Sequence, residues 1–263
     1  MGAAMWPLFV INLAADRQRM QNAEAQLHKQ GLTFARIEAV DGRALSTAQI
    51  ARVYDAGANA RRGGEPLVPA KIGCWLSHLE AWKRIAKGKA QGGIVLEDDF
   101  HAHPDFAQVV ALVCHDAARD WDMVRLFSLK PKSRSIASRP LGAAHALVKP
   151  YKLPACVTGY AITQAAAARL VARALPLSIP LDEELKRFWQ HGLDIALVVP
   201  PPLSIGDETA AAGTIGAQRE AVMRKESRKN PLGFALRRWR YQAHYQCLVH
   251  YHRMRQSITG KRP

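Results

Sequence analysis

Gly92-Gly93-Ile94-Val95-Leu96-Glu97-Asp98-Asp99 constrains this chain more than any other stretch. Its apolar run reads as a buried strand, and it stops abruptly at three carboxylates. Apolar side chains need the core, whereas a triple acid needs water, a cation or a basic partner. A strand that delivers acids at its C-terminal end puts them where open α/β sheets bind ligands. Adjacent carboxylates repel one another unless positive charge sits among them. A hard divalent cation with a bound diphosphate meets that need, since Mg²⁺ takes one or two carboxylates plus substrate phosphates. Taken alone, the same residues are equally consistent with a solvated acidic turn after a strand.

The segments around this strand supply an α/β frame. Leu8 to Leu13 reads as a first strand, and Asp16 as the N-cap of a helix that carries Met20, Ala23 and Leu27 at helical spacing. Phe34 to Val40 alternates as a second strand, which completes a βαβ unit. No GxGxxG follows the first strand, so the dinucleotide fingerprint is missing. Ser46 to Tyr54 reads as a short helix. Asp55 to Pro69 is Gly/Arg-rich without periodicity and reads as a mobile loop. Ile72, Trp75, Leu79, Trp82 and Ile85 then form the stripe of a longer helix, with Ser77 and His78 off its centre.

Beyond the acids, Pro104–His115 reads as a helix and Trp121–Phe127 as a strand, followed by Lys130, Lys132 and Arg134. Ala146–Val148 reads as a short strand. Val157–Thr163 is a strand interrupted by Gly159, which points to close backbone approach. Helices are expected over Gln164–Ala174 and from Pro180, where acids in the first turn are explained by the helix dipole alone. Leu193–Val199 is the last strand of this region.

Composition, 48% hydrophobic and 22% charged, is that of a globular protein with a sizeable core. The net charge of +15 is uneven: from Ala217 onward there are twelve Lys/Arg and two Glu, a net of +10, which leaves +5 for residues 1–216. Strong basicity is therefore a property of the tail, and no nucleic-acid partner is expected of the core. Cys74, Cys114, Cys156 and Cys247 are scattered without a CxxC pair and read as reduced thiols of a cytoplasmic protein. Neither a signal segment nor a membrane span is legible. The expected units are a catalytic domain over 1–205, a linker or ordered-on-binding segment over 206–230, and a basic helix over 231–263. In that helix Leu232, Leu236, Trp239, Ala243, Cys247, His250 and Met254 recur at gaps of three and four. Such a helix suits an anionic membrane surface, or packs on the domain with a wet basic face.

Read in order, Val10-Ile11-Asn12-Leu13 with Asp16-Arg17, then Ala39-Val40-Asp41-Gly42, then Ile72-Gly73-Cys74-Trp75-Leu76-Ser77-His78, resembles glycosyltransferase family 25 of lipopolysaccharide and lipooligosaccharide synthesis. Leu96-Glu97-Asp98-Asp99, Gly159-Tyr160 and Pro180-Leu181-Asp182 continue the resemblance over roughly Phe9 to Ser204. The basic C-terminal segment lies outside this motif set. The resemblance implies a GT-A type fold, with a mixed, mainly parallel sheet between helices. It also implies an inverting transfer of a hexose, galactose or glucose, from its UDP conjugate to a lipopolysaccharide or lipooligosaccharide core glycolipid, with Mn²⁺ or Mg²⁺ as cofactor. Such an enzyme would sit peripherally on the inner face of the cytoplasmic membrane.

Given that chemistry, the metal ligands expected are Glu97 and Asp99, since alternation along an extended chain puts them on one side. Asp98 is expected to contact the ribose or hold the strand turn. Asp182 is the candidate base, with Glu183 second. Asn12, Arg17 and Asp41 are candidates for the nucleotide, and Ser77, His78, Lys130 and Tyr160 for the donor site. The contrasting reading is a nucleic-acid- or membrane-binding protein on a catalytically inactive scaffold.

Overall fold

The computed structural model describes residues 5–128, 134–205 and 231–259. The expected βαβ unit is present: β1 (Leu8–Asn12), α1 (Arg17–Lys29) and β2 (Ala35–Glu38), with the two strands parallel. A 3₁₀ turn (Gly42–Ala44), α2 (Thr47–Val53) and α3 (Ala56–Arg61) follow. The long helix α4 (Pro69–Lys87) then returns the chain to β3 (Gly92–Glu97), parallel to β1 on its other side. Next come β4 (Phe100–Ala102), α5 (Phe106–Cys114), β5 (Met123–Arg125), β6 (Ser135–Leu141), β7 (His145–Pro150) and β8 (Gly159–Thr163). The rest comprises α6 (Gln164–Arg173), α7 (Leu181–Lys186), α8 (Phe188–His191), β9 (Ile195–Val199), β10 (Leu203–Ile205) and α9 (Pro231–Thr259).

Eight strands form one sheet in the order β2-β1-β3-β8-β5-β9-β7-β6. Strands covered on both faces read as continuous apolar runs, and their alternate residues feed two cores. Phe9, Ile11, Val95 and Met123 join the core under α4 and α6, while Leu8, Val10, Ile94 and Val124 join the one under α1 and α5.

The sheet is mixed but not mainly parallel. β1/β2, β1/β3 and β5/β9 are parallel, whereas β3/β8, β5/β8, β7/β9 and β6/β7 are antiparallel. Parallel neighbours need a crossover, usually helical, and beyond β5 the chain makes a hairpin instead. β6 escapes a sequence reading because it is an edge strand, largely exposed, with Pro140 inside it.

Three further expectations need correction. Residues 55–69 are not a featureless loop, because Asp55 Oδ1 accepts from Ala58 N at 2.7 Å and caps α3. That helix is short and alanine-rich, so it shows no apolar period. Asp16 precedes α1, but its side chain makes no cap hydrogen bond and instead pairs with Arg19 at 3.4 Å. At Gly159 the close neighbour is a side chain rather than backbone, since a Cβ there would meet Leu203 Cδ1 at 2.4 Å.

The C-terminal helix does pack on the domain, but with the face opposite the predicted stripe. Tyr245 and Val249 are buried, whereas Leu232 and Trp239 are 85% and 67% exposed. At about 100° per residue the two sets point to opposite sides of the helix.

One helix-to-turn contact fixes how α4 meets the sheet. A Cβ on Gly42 would lie 1.7 Å from Pro69 O, and one on Gly73 would lie 2.3 Å from Val40 O. Alanine in a helix interior gains up to ~1 kcal/mol over glycine, but here it drives into backbone that cannot move aside. Gly73→Ala is therefore expected to destabilise the protein by about 2 kcal/mol or more. The check is urea unfolding, read as a lower midpoint at unchanged slope.

Candidate functional site

Topology gathers the polar residues at one edge of the sheet. Ile11 pairs with Glu97, Leu96 with Gly159, and Arg125 with Tyr160. The C-terminal ends of β1, β3 and β5 therefore meet the start of β8, and α4 lies over them.

Glu97 is the most firmly held of the three acids. Its Oε1 lies 3.0 Å from His78 Nε2 and 3.7 Å from Cys74 Sγ. His78 Nδ1 lies 2.9 Å from Tyr160 Oη, which accepts from Trp82 Nε1 at 2.8 Å. Indole N–H only donates; with the phenol proton turned to Nδ1, the His78 tautomer that carries its proton on Nε2 donates to Glu97. Burial pushes the Glu97 carboxyl up, but His78, Cys74 and Arg125 outweigh it and hold the carboxyl below its ordinary value. Burial also drives the Tyr160 phenol and the Cys74 thiol well up, so both keep their protons.

Asp98 accepts from Asn12 Nδ2 at 2.6 Å and from Arg19 Nη1 at 3.4 Å. Burial still leaves its carboxyl above the ordinary range. Asp99 differs from both. Its Oδ1 is buried without a hydrogen-bond partner among the described residues. Burial, then the charges of Glu97 and Asp98, push its carboxyl up to about 7. A buried carboxylate oxygen with no donor is costly, and a cation would relieve it. Cys74, His78 and Glu97 also bring one ligand atom each within 4.8 Å of one another. That set would suit a softer ion, whereas carboxylate oxygen suits Mg²⁺ or Mn²⁺.

A cavity of about 170 Å³ opens over these residues, lined by Asn12, Asp41, Ser77, His78, Glu97, Asp98 and Asp99. Two of its lining residues have clear structural duties. Asp41 caps the 3₁₀ turn and holds Arg43 through two 2.8 Å bonds, which keeps its carboxyl low. Ser77 Oγ accepts from Val40 N at 2.9 Å and donates to Gly73 O at 2.7 Å, locking α4 to the turn. Arg17 is exposed and takes no part in the cavity wall, whereas Arg19 does. Two residues apart on a helix face opposite ways, about 200° round. Tyr160 lies beneath the cavity and reaches it only through His78. Lys130 lies outside the described residues.

Asp182 and Glu183 stand in the first turn of α7, where the cap position is Pro180. Glu183 pairs with Lys186 at 2.7 Å. Both acids line a second cavity of about 270 Å³. Asp182 is electrostatically close to the first cavity, because its charge acts on Cys74 and Arg125, which also feel Glu97.

Arg125 and Arg19 escaped the sequence reading. Arg125 is 1% exposed, and its Nη1 donates to the carbonyls of Pro154 and Cys156. Its Nε and Nη2 have no hydrogen-bond partner among the described residues. Burial lowers its pKa, and the carboxylate charges of Asp182 and Glu97 oppose that shift. The available signal was a lone arginine inside the apolar run Met123–Phe127. For Arg19 the signal was its i, i+3 spacing from Asp16.

Residues 5–185 match the family described as Glycosyltransferase family 25 (LPS biosynthesis protein). Among curated relatives, the chain is 31% identical over 188 residues to a glycosyltransferase 25 family member of Anopheles gambiae. It is 29% identical over 189 residues to procollagen galactosyltransferase 1 of Danio rerio, and 26% over 186 residues to procollagen galactosyltransferase 2 of Mus musculus. Each alignment covers 68% of this chain and 29–31% of the relative, so the chain spans less than a third of the length of these proteins. The eight-stranded α/β architecture is compatible with a GT-A-like fold.

The orphaned oxygen of Asp99 sets a pH dependence. A carboxyl raised to about 7 in the folded state contributes stability below the unfolded value of ~3.9 and loses it as pH rises through 7. Adding Mg²⁺ or Mn²⁺ should therefore raise the melting temperature more at pH 8 than at pH 6, where the ion must displace a proton. In Asp99→Asn most of that metal-induced rise should vanish, as followed by differential scanning fluorimetry.

Proposed function

The chain belongs to glycosyltransferase family 25 and is a glycosyltransferase, and from that premise we propose an inverting transfer of a hexose from a UDP-sugar to a lipopolysaccharide or lipooligosaccharide core glycolipid. The observation that carries this reading is the buried, unpartnered Asp99 oxygen among three acids in a cavity at the strand ends. Galactose is favoured over glucose by the names of the procollagen relatives, and the lipopolysaccharide acceptor by the description of the family.

Asp99, with Glu97 or Asp98 beside it, would hold Mn²⁺ or Mg²⁺, which when bound supplies positive charge against the departing diphosphate. Arg19 and Arg43 line the same cavity and offer guanidinium donors to the nucleotide, whereas Asn12 gives its amide protons to Asp98 and to the Asp16 carbonyl and so shapes the wall. The Trp82–Tyr160–His78 relay keeps Glu97 ionised and oriented.

On the acceptor side, Asp182 takes the proton of the attacking hydroxyl. The hydroxyl oxygen bonds to the anomeric carbon as the bond from that carbon to the UDP oxygen breaks. Attack opposite the leaving group inverts the centre and releases UDP. Glu183 is engaged by Lys186, which favours Asp182 for this role. Asp182→Asn should bind UDP-hexose as the parent does and lose transfer by about 10²–10⁴-fold. Calorimetry with UDP and a UDP-release assay separate the two readouts.

The enzyme is proposed to work peripherally on the inner face of the cytoplasmic membrane. No helix among the described residues is long and apolar enough to cross a membrane. The outward face of α9 carries exposed Leu232, Leu236, Trp239 and Met254, with Arg237 and Arg240 alongside. Apolar residues flanked by cations suit an anionic bilayer surface. Leu236→Glu with Trp239→Glu should abolish sedimentation with phosphatidylglycerol vesicles and leave soluble UDP binding intact.

A further inference from the structure

The cavity that holds Asp182 is completed by a segment outside the residues that carry the family match. Asp182 and Glu183 come from α7 and Lys71 from the first turn of α4, whereas Arg238, Tyr241 and Gln242 come from α9. The family match ends at residue 185. The helix is fixed where it forms this wall. Arg187 Nη2 donates to Tyr241 Oη at 3.0 Å, and Arg238 pairs with Glu65 at 3.8 Å. Further along, Arg253 donates to the carbonyls of Pro150 and Tyr151 at 2.9 and 3.0 Å.

This space is distinct from the one under the three acids. Lys71 lines the cavity of Asp182, and Ala70 and Cys74 line the cavity of the three acids, so the two adjoin along α4. The candidate base lies on the α9 side of that boundary. At about 270 Å³ the space holds a sugar ring but not a polypeptide helix, which with its side chains is ~10 Å across. A pyranose offers hydroxyls that both donate and accept, and a C–H face that packs on aromatic rings. The cavity answers with carboxylate acceptors, guanidinium and amide donors, and the ring of Tyr241.

We propose that this cavity is the acceptor subsite, taking one sugar ring of a glycan, with Tyr241 and Gln242 of α9 as the residues that select it. The assignment rests on the transferase reading given above, and it makes α9 a part of the active site rather than an appendage. It also makes acceptor choice separable from donor chemistry, because the residues lining the cavity of the three acids all precede residue 100.

Saturation-transfer NMR on the full chain tests it, with methyl β-D-galactopyranoside and methyl β-D-glucopyranoside as probes and UDP titrated in parallel samples. At least one hexoside should bind, and Gln242→Ala and Tyr241→Leu should each weaken it by about three- to tenfold. Gln242 is exposed, so its variant keeps the experiment readable even if Tyr241→Leu loosens the helix. UDP binding without binding of either hexoside overturns the subsite. So does hexoside binding that Gln242→Ala leaves unchanged. Hexoside binding that weakens in the variants, with no binding of UDP, would sustain the subsite and sink the donor reading instead.

Discussion

The hydrogen bond from His78 to Glu97 is the contact on which the site depends. Three carboxylates within three residues cannot all be buried as anions without compensation. The relay from Trp82 through Tyr160 to His78 favours the anion at one of them. Asn12 and Arg19 engage the second. The third is left with a buried, unmatched oxygen and a proton affinity raised toward neutrality. A site built in this way is electrostatically incomplete until positive charge arrives. Arg125, buried beneath, supplies some of the balance from inside the protein.

That relay works only because α4 is held at a fixed height above the sheet edge. Gly42 and Gly73 let backbone meet backbone, and Ser77 bonds to both sides of the contact. The same few residues thus fix the helix that carries Cys74 and His78 and shape the cavity wall. Packing and chemistry are not separable here. A methyl group added at Gly73 would press on the turn that presents Asp41, and so on the wall of the cavity.

The last helix has a double character. Its inner face, with Tyr241, Tyr245 and Val249, closes against the domain and borders the cavity of Asp182. Its outer face leaves leucines, a tryptophan and a methionine in the open beside arginines. A helix that is apolar on one side and contributes polar residues to a cavity on the other can carry two partners at once. For a transferase, one of these would be the acceptor glycan and the other the lipid surface that displays it.

Local sequence determined a good part of this. The apolar runs of β1, β3 and β9 and the stripe of α4 are written in residue order, because burial on both faces and helical period each leave a local signature. The acids at the end of β3 were legible for the same reason, whereas Asn12, Ser77 and His78 became candidates only through the family resemblance. What the order of residues does not contain is which strand lies beside which. Only the assembled sheet put β8 between β3 and β5, and so brought Tyr160 and Arg125 under Glu97. It also chose Arg19 over Arg17, because the facing side of a helix is set by what the helix packs on. The inward face of α9 was decided in the same way. Its leucine and tryptophan stripe has the stronger apolar period, yet the tyrosine face matches the surface formed by Arg187, Phe188 and Trp189. Periodicity is a property of neighbours along the chain, whereas a binding site is a property of neighbours across it.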